Sequence, residues 1–177
     1  MKNIVYYVAC SLDGFITGKN EDVSQFIYQS KGVDKYLEDL KKYKTVIMGR
    51  KTYEFGYRFG IKEGQPSYDN MEHFIFSDNL FFKEKAPNVH IRKLEVDAIE
   101  KLKKESKTDI YLCGGGMLAG WLFENEKIDI LKVKLNPIIL GKGVRLFGDS
   151  KKEIKLKLMN TEVYDDGLQI MTFKIKY

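Results

Sequence analysis

Leu112-Cys113-Gly114-Gly115-Gly116-Met117-Leu118 is the stretch whose reading decides the fold. The residues before it, Asp109-Ile110-Tyr111-Leu112-Cys113, are mostly apolar and β-branched or aromatic. Those after it, Met117-Leu118-Ala119-Gly120-Trp121-Leu122-Phe123, form an amphipathic run. The order implied is strand, tight turn, helix. Three residues without a Cβ let the backbone come close to whatever lies above the strand. The helix that starts there turns free N–H groups and a partial positive charge toward the same point. A pyrophosphate suits such a place. The same turn also serves plain packing of a helix on a sheet, so the rest of the chain must separate the two.

The alternation continues outward in both directions. Residues 3–10 are nearly continuously apolar, the pattern of a central strand buried on both faces. Asp13-Gly14 marks a turn. Residues 32–43 carry apolar side chains at Val33, Tyr36, Leu37, Leu40 and Tyr43, a helical spacing. Residues 45–48 read as a short buried strand, and Gly49-Arg50-Lys51-Thr52-Tyr53-Glu54 as a second strand-to-helix turn. Residues 55–72 show no period and read as loop. Strands are expected at 73–77, 88–92 and 128–135, and a helix at 97–107. Residues 138–147 form an apolar run broken by glycines. Residues 155–158 and 168–176 alternate with period two about the turn Asp165-Asp166-Gly167. The expectation is an α/β fold, a mostly parallel sheet closed by a C-terminal antiparallel hairpin.

The 177 residues are expected to form one domain, 1–177, with a core that needs neither disulfides nor metals. No apolar run reaches membrane-span length, and Met1-Lys2-Asn3-Ile4 lacks the long apolar segment of a secretory signal. A cytoplasmic location without membrane contact is expected. Cys10 and Cys113 lie in strand-like runs, and His73 and His90 are isolated, so no metal site is expected. Both cysteines end central strands, which places them close together. The formal charge of +5 and pI of about 9.0 raise the question of nucleic acid. The lysines, however, interleave with acids, as in Lys35-Tyr36-Leu37-Glu38-Asp39-Leu40-Lys41-Lys42, the mark of a solvated helix face. A small anionic ligand fits the excess, and no nucleic-acid partner is expected.

In a mostly parallel sheet the loops after the strands share one edge, and ligands bind there. Gly49-Arg50-Lys51-Thr52 sets two cations and a hydroxyl at a helix start, where cations oppose the helix dipole unless an anion is present. Arg50 offers a bidentate fork for phosphate. Ser77 ends the next strand with another hydroxyl, which alternatively caps a turn. With Gly114 to Gly116 as a second anion site, the edge suits a dinucleotide carrying an extra phosphate, NADP rather than NAD.

Five ordered stretches carry a family resemblance over essentially the whole chain. Val46-Ile47-Met48-Gly49-Arg50-Lys51-Thr52-Tyr53-Glu54 resembles the dihydrofolate reductase signature around the cofactor phosphate. Ile75-Phe76-Ser77 and Cys113-Gly114-Gly115-Gly116 resemble that fold's next cofactor strand and its glycine turn. Ser11-Leu12-Asp13-Gly14-Phe15-Ile16 and Asn136-Pro137-Ile138-Ile139-Leu140-Gly141-Lys142-Gly143-Val144-Arg145-Leu146-Phe147 are more similar to the RibD C-terminal family, the reductase domain of bacterial riboflavin biosynthesis. The resemblance implies a dihydrofolate reductase-like, three-layer α/β/α fold with a twisted sheet, NADPH as hydride donor, a small heterocyclic substrate and a homodimer. It implies that Gly49, Arg50, Lys51, Thr52 and Ser77 hold the adenosine phosphate. Gly114, Gly115, Gly116, Met117 and Leu118 would hold the pyrophosphate, and Ala9 would lie against the nicotinamide. Ser11, Leu12, Asp13 and Gly14 would begin the loop above it, with Ser24 and Phe26 on the substrate side. Asp13 is the first candidate proton source and Asp34 the second. The readings left open are a reductase like 5-amino-6-(5-phosphoribosylamino)uracil reductase acting on a pyrimidine- or pterin-like ring, dihydrofolate reductase itself, and a nucleotide- or flavin-binding protein without turnover.

Overall fold

The computed structural model describes all residues, Met1–Tyr177. In chain order the elements are β1 (Ile4–Cys10), β2 (Phe15–Thr17), α1 (Lys31–Leu40), β3 (Thr45–Gly49), α2 (Arg50–Phe55), β4 (Glu72–Phe76), β5 (Val89–Arg92), α3 (Val96–Glu105), β6 (Ile110–Gly114), α4 (Gly116–Glu124), β7 (Ile130–Leu135), β8 (Val144–Arg145), β9 (Leu156–Val163) and β10 (Gln169–Ile175). Short 3₁₀ turns occupy Lys19–Glu21 and Gly56–Phe59.

Eight strands make one sheet in the order β5-β4-β3-β6-β1-β7-β10-β9. The six from β5 to β7 run parallel, and β10 runs antiparallel to both β7 and β9. The parallel strands are buried on both faces, which explains why they are apolar throughout rather than alternating. In β1, Ile4 and Tyr6 enter one core, shared with Ile99 and Leu102 of α3 and Leu118 and Leu122 of α4. Val5 and Tyr7 enter the other, shared with Val33 and Leu40 of α1 and Tyr53 of α2. Helices therefore cover both faces in three layers, the α/β/α arrangement that the resemblance implies, with the C-terminal antiparallel hairpin that the pattern predicts. Ser30 starts α1 by accepting a hydrogen bond from the Val33 amide at 3.3 Å.

The chain leaves β1, passes over β6 to form β3, β4 and β5, returns to insert β6 between β3 and β1, and then places β7 on the far side of β1. This reversal brings the C-terminal ends of β1, β3 and β6 together, the place where open α/β sheets bind ligands.

Three expectations change. Residues 55–72 are not wholly loop. Helix continues through Phe55 and the following 3₁₀ turn, where the rings of Phe55 and Phe59, one helical turn apart, pack at 5.4 Å. Within 138–147, Val144–Arg145 pairs with Phe15–Thr17 as a two-stranded ribbon outside the main sheet. The two cysteines are not close partners. Cys10 enters the α3/α4 core and Cys113 packs against the α1/α2 core, on the opposite face.

Candidate functional site

β3 and β6 are neighbours, with Met48 opposite Gly114, so the two glycine turns lie side by side at the sheet edge. Gly49 caps α2 and Gly115 caps α4, and neither helix start receives a side-chain hydrogen bond. The first-turn amides of both helices thus open onto the same edge. Gly114 has φ +135°, a conformation that L side chains rarely adopt, and the Gly114–Gly115 peptide is cis. A Cβ on Gly115 would lie 2.9 Å from Thr52 Oγ1, so α2 and the triple glycine touch. A Cβ on Gly116 would collide with the carbonyl of Arg145, which is a packing reason for that glycine. Gly49 has neither constraint. Its φ is −80°, and the nearest atom to an added Cβ is Leu118 Cβ at 3.8 Å.

The structure therefore brings Gly49, Thr52, Gly114, Gly115, Gly116 and Leu118 together. Met117 turns its side chain to solvent. Arg50, half-exposed, makes an i,i+4 ion pair with Glu54 through Nε at 2.6 Å. Ser77 follows β4, whose Phe76 lies opposite Gly49, so it shares this edge. Its hydroxyl accepts hydrogen bonds from the amides of Asn79 and Leu80, the turn-capping role weighed from sequence. Ala9, half-buried, sits near the end of β1 opposite Lys134.

Beside this edge opens a cleft of about 420 Å³. Its floor is Val8, Met48, Cys113, Gly114 and Gly115; one wall is Lys51, Thr52, Phe55, Phe59 and Ile61; the other is Ile16, Thr17, Glu21 and Val23. Ser67 and Tyr68 close the inner end. Tyr68 OH lies 3.6 Å from Cys113 Sγ, and burial pushes the Tyr68 phenol far above its usual range, so it keeps its proton. Burial likewise raises Cys113, against partial relief from the Tyr68 and Tyr111 hydroxyls, so the thiol is not a nucleophile at neutral pH. At the mouth, Glu21 pairs with Arg58 Nη2 at 3.0 Å, which ties the segment after β2 to the turn after α2.

Asp13 is not poised as an acid in this cleft. Its Oδ1 accepts from the Ser11 hydroxyl at 2.6 Å and the Leu140 amide at 3.1 Å, and its Oδ2 from the Gly141 amide at 2.7 Å. The Ser11 hydroxyl foremost, with those amides, holds the carboxyl below its usual range. Asp13 is a brace that fastens the loop after β1 to the loop after β7. Ser11, fully buried, is part of the same brace and also accepts from the Phe15 amide at 3.0 Å. Asp34 is exposed in the first turn of α1 and lines no part of the cleft. Ser24 is exposed and Phe26 is buried, and the cleft is lined instead by their neighbour Val23.

Glu21, Phe55, Phe59, Ile61 and Ser67 were not singled out by sequence reasoning. The spacing of Phe55 and Phe59 was the available signal, hidden in a stretch read as loop. Tyr53 and Tyr57 do not face the cleft. Tyr53 is fully buried and donates to the Gln65 carbonyl at 2.8 Å, and Tyr57 packs edge-on against it.

The family model of the RibD C-terminal domain matches residues 2–170. The uncharacterized protein YyaP of Bacillus subtilis is 27% identical over 175 residues, covering 94% of this chain and 92% of YyaP. Among solved structures, a putative riboflavin biosynthesis protein from Shewanella sp. PV-4 superposes with a TM-score of 0.79 at 24% identity, with both chains covered fully. The deaminase/5-amino-6-(5-phosphoribosylamino)uracil reductase of Thermotoga maritima gives 0.71 at 17% identity, covering 99% of this chain and 57% of that longer one. The fold is dihydrofolate reductase-like.

Proposed function

The chain belongs to the RibD C-terminal domain family, and on that premise we propose that it is an NADPH-dependent reductase that delivers hydride to a pyrimidine- or pterin-like ring, as a 5-amino-6-(5-phosphoribosylamino)uracil reductase does. The observation that carries the reading is Gly49. The fold tolerates a side chain there, so its absence is explained by a ligand that rests on the backbone between the two uncapped helix starts. The donor set fits a phosphorylated dinucleotide. Arg50, Lys51, Thr52 and Ser77 lie around one end of the edge, and the α4 amides at Gly116 to Leu118 face a second anion. NADPH, when bound, supplies the hydride.

The chain's own groups hold and shield. Gly114 and Gly115 allow close backbone approach, and Thr52 packs against them. Ala9 and Val8 would form the surface behind the nicotinamide. Phe55, Phe59 and Val23 exclude water from the reacting carbon, and water exclusion with alignment is what hydride transfer needs. Tyr68, held protonated, donates a hydrogen bond to a substrate oxygen or nitrogen at the inner end. With Asp13 committed to its brace and Asp34 outside the cleft, the proton that follows the hydride comes from solvent.

That same lack of a free acid favours a second reading, a nucleotide- or flavin-binding protein without turnover. Titration with NADPH and with NADH, followed through Trp121 in α4, tests the cofactor half. NADPH binding at least tenfold tighter than NADH supports it, and no binding of either rejects it. Oxidation of NADPH at 340 nm with candidate ring substrates then separates reductase from binder.

A further inference from the structure

We infer that the substrate of this cleft is an uncharged, unphosphorylated planar ring, and that the chain discriminates against the phosphoribosyl form of the same ring. The inference rests on the reductase reading and concerns the half of the cleft beyond the cofactor.

Few charges line this cleft. Of the residues that line it, Lys51 and Glu21 alone carry charge. Lys51 stands in the first turn of α2, beside Arg50 and the uncapped amides assigned to the cofactor phosphate. Arg58, held at this mouth by Glu21, is already committed. Its Nη2 bonds the Glu21 carboxylate at 3.0 Å, its Nη1 reaches the Glu21 carbonyl at 3.5 Å, and its guanidinium lies over the Phe55 ring at 5.0 Å. With Lys51 assigned to the cofactor, a substrate phosphate entering at the outer mouth would meet the Glu21 carboxylate and an Arg58 already paired with it.

The remaining wall is apolar. Phe55, Phe59, Ile61 and Val23 form it. Moving a phosphate dianion from water against such a wall, unpaired, is strongly unfavourable. A flat ring, by contrast, is matched at both ends. The aromatic wall stacks against its face. The hydroxyls of Ser67 and Tyr68 offer neutral donors and acceptors for its carbonyl and N–H edge. Shape and polarity thus select the heterocycle, and the Glu21–Arg58 pair selects against the phosphate.

Calorimetric titration of the NADP⁺-loaded protein with 5-amino-6-(5-phosphoribosylamino)uracil and with its dephosphorylated form tests this directly. The unphosphorylated compound is expected to bind at least tenfold more tightly. In Glu21→Gln, which releases Arg58, that ratio is expected to shrink at least threefold while NADP⁺ affinity is unchanged. Equal or tighter binding of the phosphorylated compound overturns the inference, as does a ratio that Glu21→Gln leaves untouched. Binding of NADP⁺ with neither ring compound bound also overturns it, leaving the cofactor site standing. Failure to bind NADP⁺ at all is a different result, and rejects the reductase reading itself.

Discussion

Replacing Gly49 with alanine separates a glycine kept for a ligand from glycines kept for the fold. Gly49 caps α2 with φ −80° and ψ 161°, ordinary values for any L residue. The added methyl would meet Leu118 Cβ at 3.8 Å, a normal van der Waals contact. Alanine is the poorer helix cap by several tenths of a kcal/mol. Against this, the stiffer unfolded chain contributes about 0.4–1 kcal/mol in favour of folding. The two nearly cancel, so stability should move by less than about 0.5 kcal/mol and Tm by less than roughly 2 °C. Binding should respond differently. A ribose or phosphate seated on the Gly49 backbone would meet the methyl head-on. Overpacking a close-fitting contact costs about 1–3 kcal/mol, a rise in the NADPH Kd of roughly 5- to 150-fold. Thermal melting and fluorescence titration on one preparation give both numbers. An unchanged Kd beside an unchanged Tm would refute the reasoning, because Gly49 would then be needed by neither ligand nor fold.

Gly120→Ala should do the opposite. Its methyl would strike the Phe147 carbonyl, so overpacking outweighs the roughly 1 kcal/mol that alanine adds inside a helix; a Tm lower by roughly 2–8 °C is expected, and a raised Tm counts against the packing of α4 described above. Arg50→Ala should raise the Kd for NADPH by about one to two orders of magnitude, the worth of hydrogen bonds to a charged phosphate, and leave NADH binding unchanged; equal losses for both cofactors would move the extra phosphate elsewhere. Asp39 is buried, which opposes its ionisation, yet Lys132, Lys35 and Lys42 together hold its carboxyl well below the usual range. A carboxyl lowered in the folded state stabilises above its unfolded pKa of about 4 and loses that contribution as pH falls; Asp39→Asn should therefore lose about 3–5 kcal/mol at pH 7 and show a flatter decline below pH 4 in urea denaturation. At the alkaline end, burial pushes Tyr53 up to about 12. Its stabilising contribution is complete below pH 10 and lost as pH rises through 12, and a Tyr53→Phe variant with the same alkaline limb as the parent would contradict this.

Sequence reading succeeded where the physics is local. The six parallel strands are apolar runs punctuated by glycine or polar turns, and burial on both faces leaves no other explanation for runs such as Ile4-Val5-Tyr6-Tyr7. Boundaries moved by only a few residues at most of these elements. It failed where a side chain's role depends on a partner far along the chain. Asp13 looks like a cleft acid until the amides of Leu140 and Gly141, more than 120 residues away, are seen to occupy its carboxylate. Ser24 and Phe26 fell next to the lining residue rather than on it, because the irregular backbone of residues 18–28 has no period from which to read a face. Glu21 illustrates the point sharply. Its pairing with Arg58, 37 residues along the chain, is a product of tertiary contact, and it leaves no trace in composition or spacing.

The triple glycine shows why a motif that reads as one signal divides on inspection. Gly114 is required by backbone conformation, Gly115 by the side chain of Thr52, and Gly116 by the carbonyl of Arg145. Each has a reason within the protein, so the motif alone does not distinguish a ligand from packing, and from sequence the two readings could not be told apart. The discriminating residue is in the other turn. Gly49 is a glycine that neither backbone conformation nor packing requires, set between two helix starts that no side chain caps. A fold gains only some tenths of a kcal/mol of capping by leaving that space open, and alanine there would restrict the unfolded chain by about as much. The open surface is intelligible as one face of a binding site, and the residues that surround it, Arg50, Thr52, Ser77 and the α4 amides, are of the kinds that bind phosphate. Function in this chain is therefore read most directly from the position where neither packing nor backbone conformation requires the residue present.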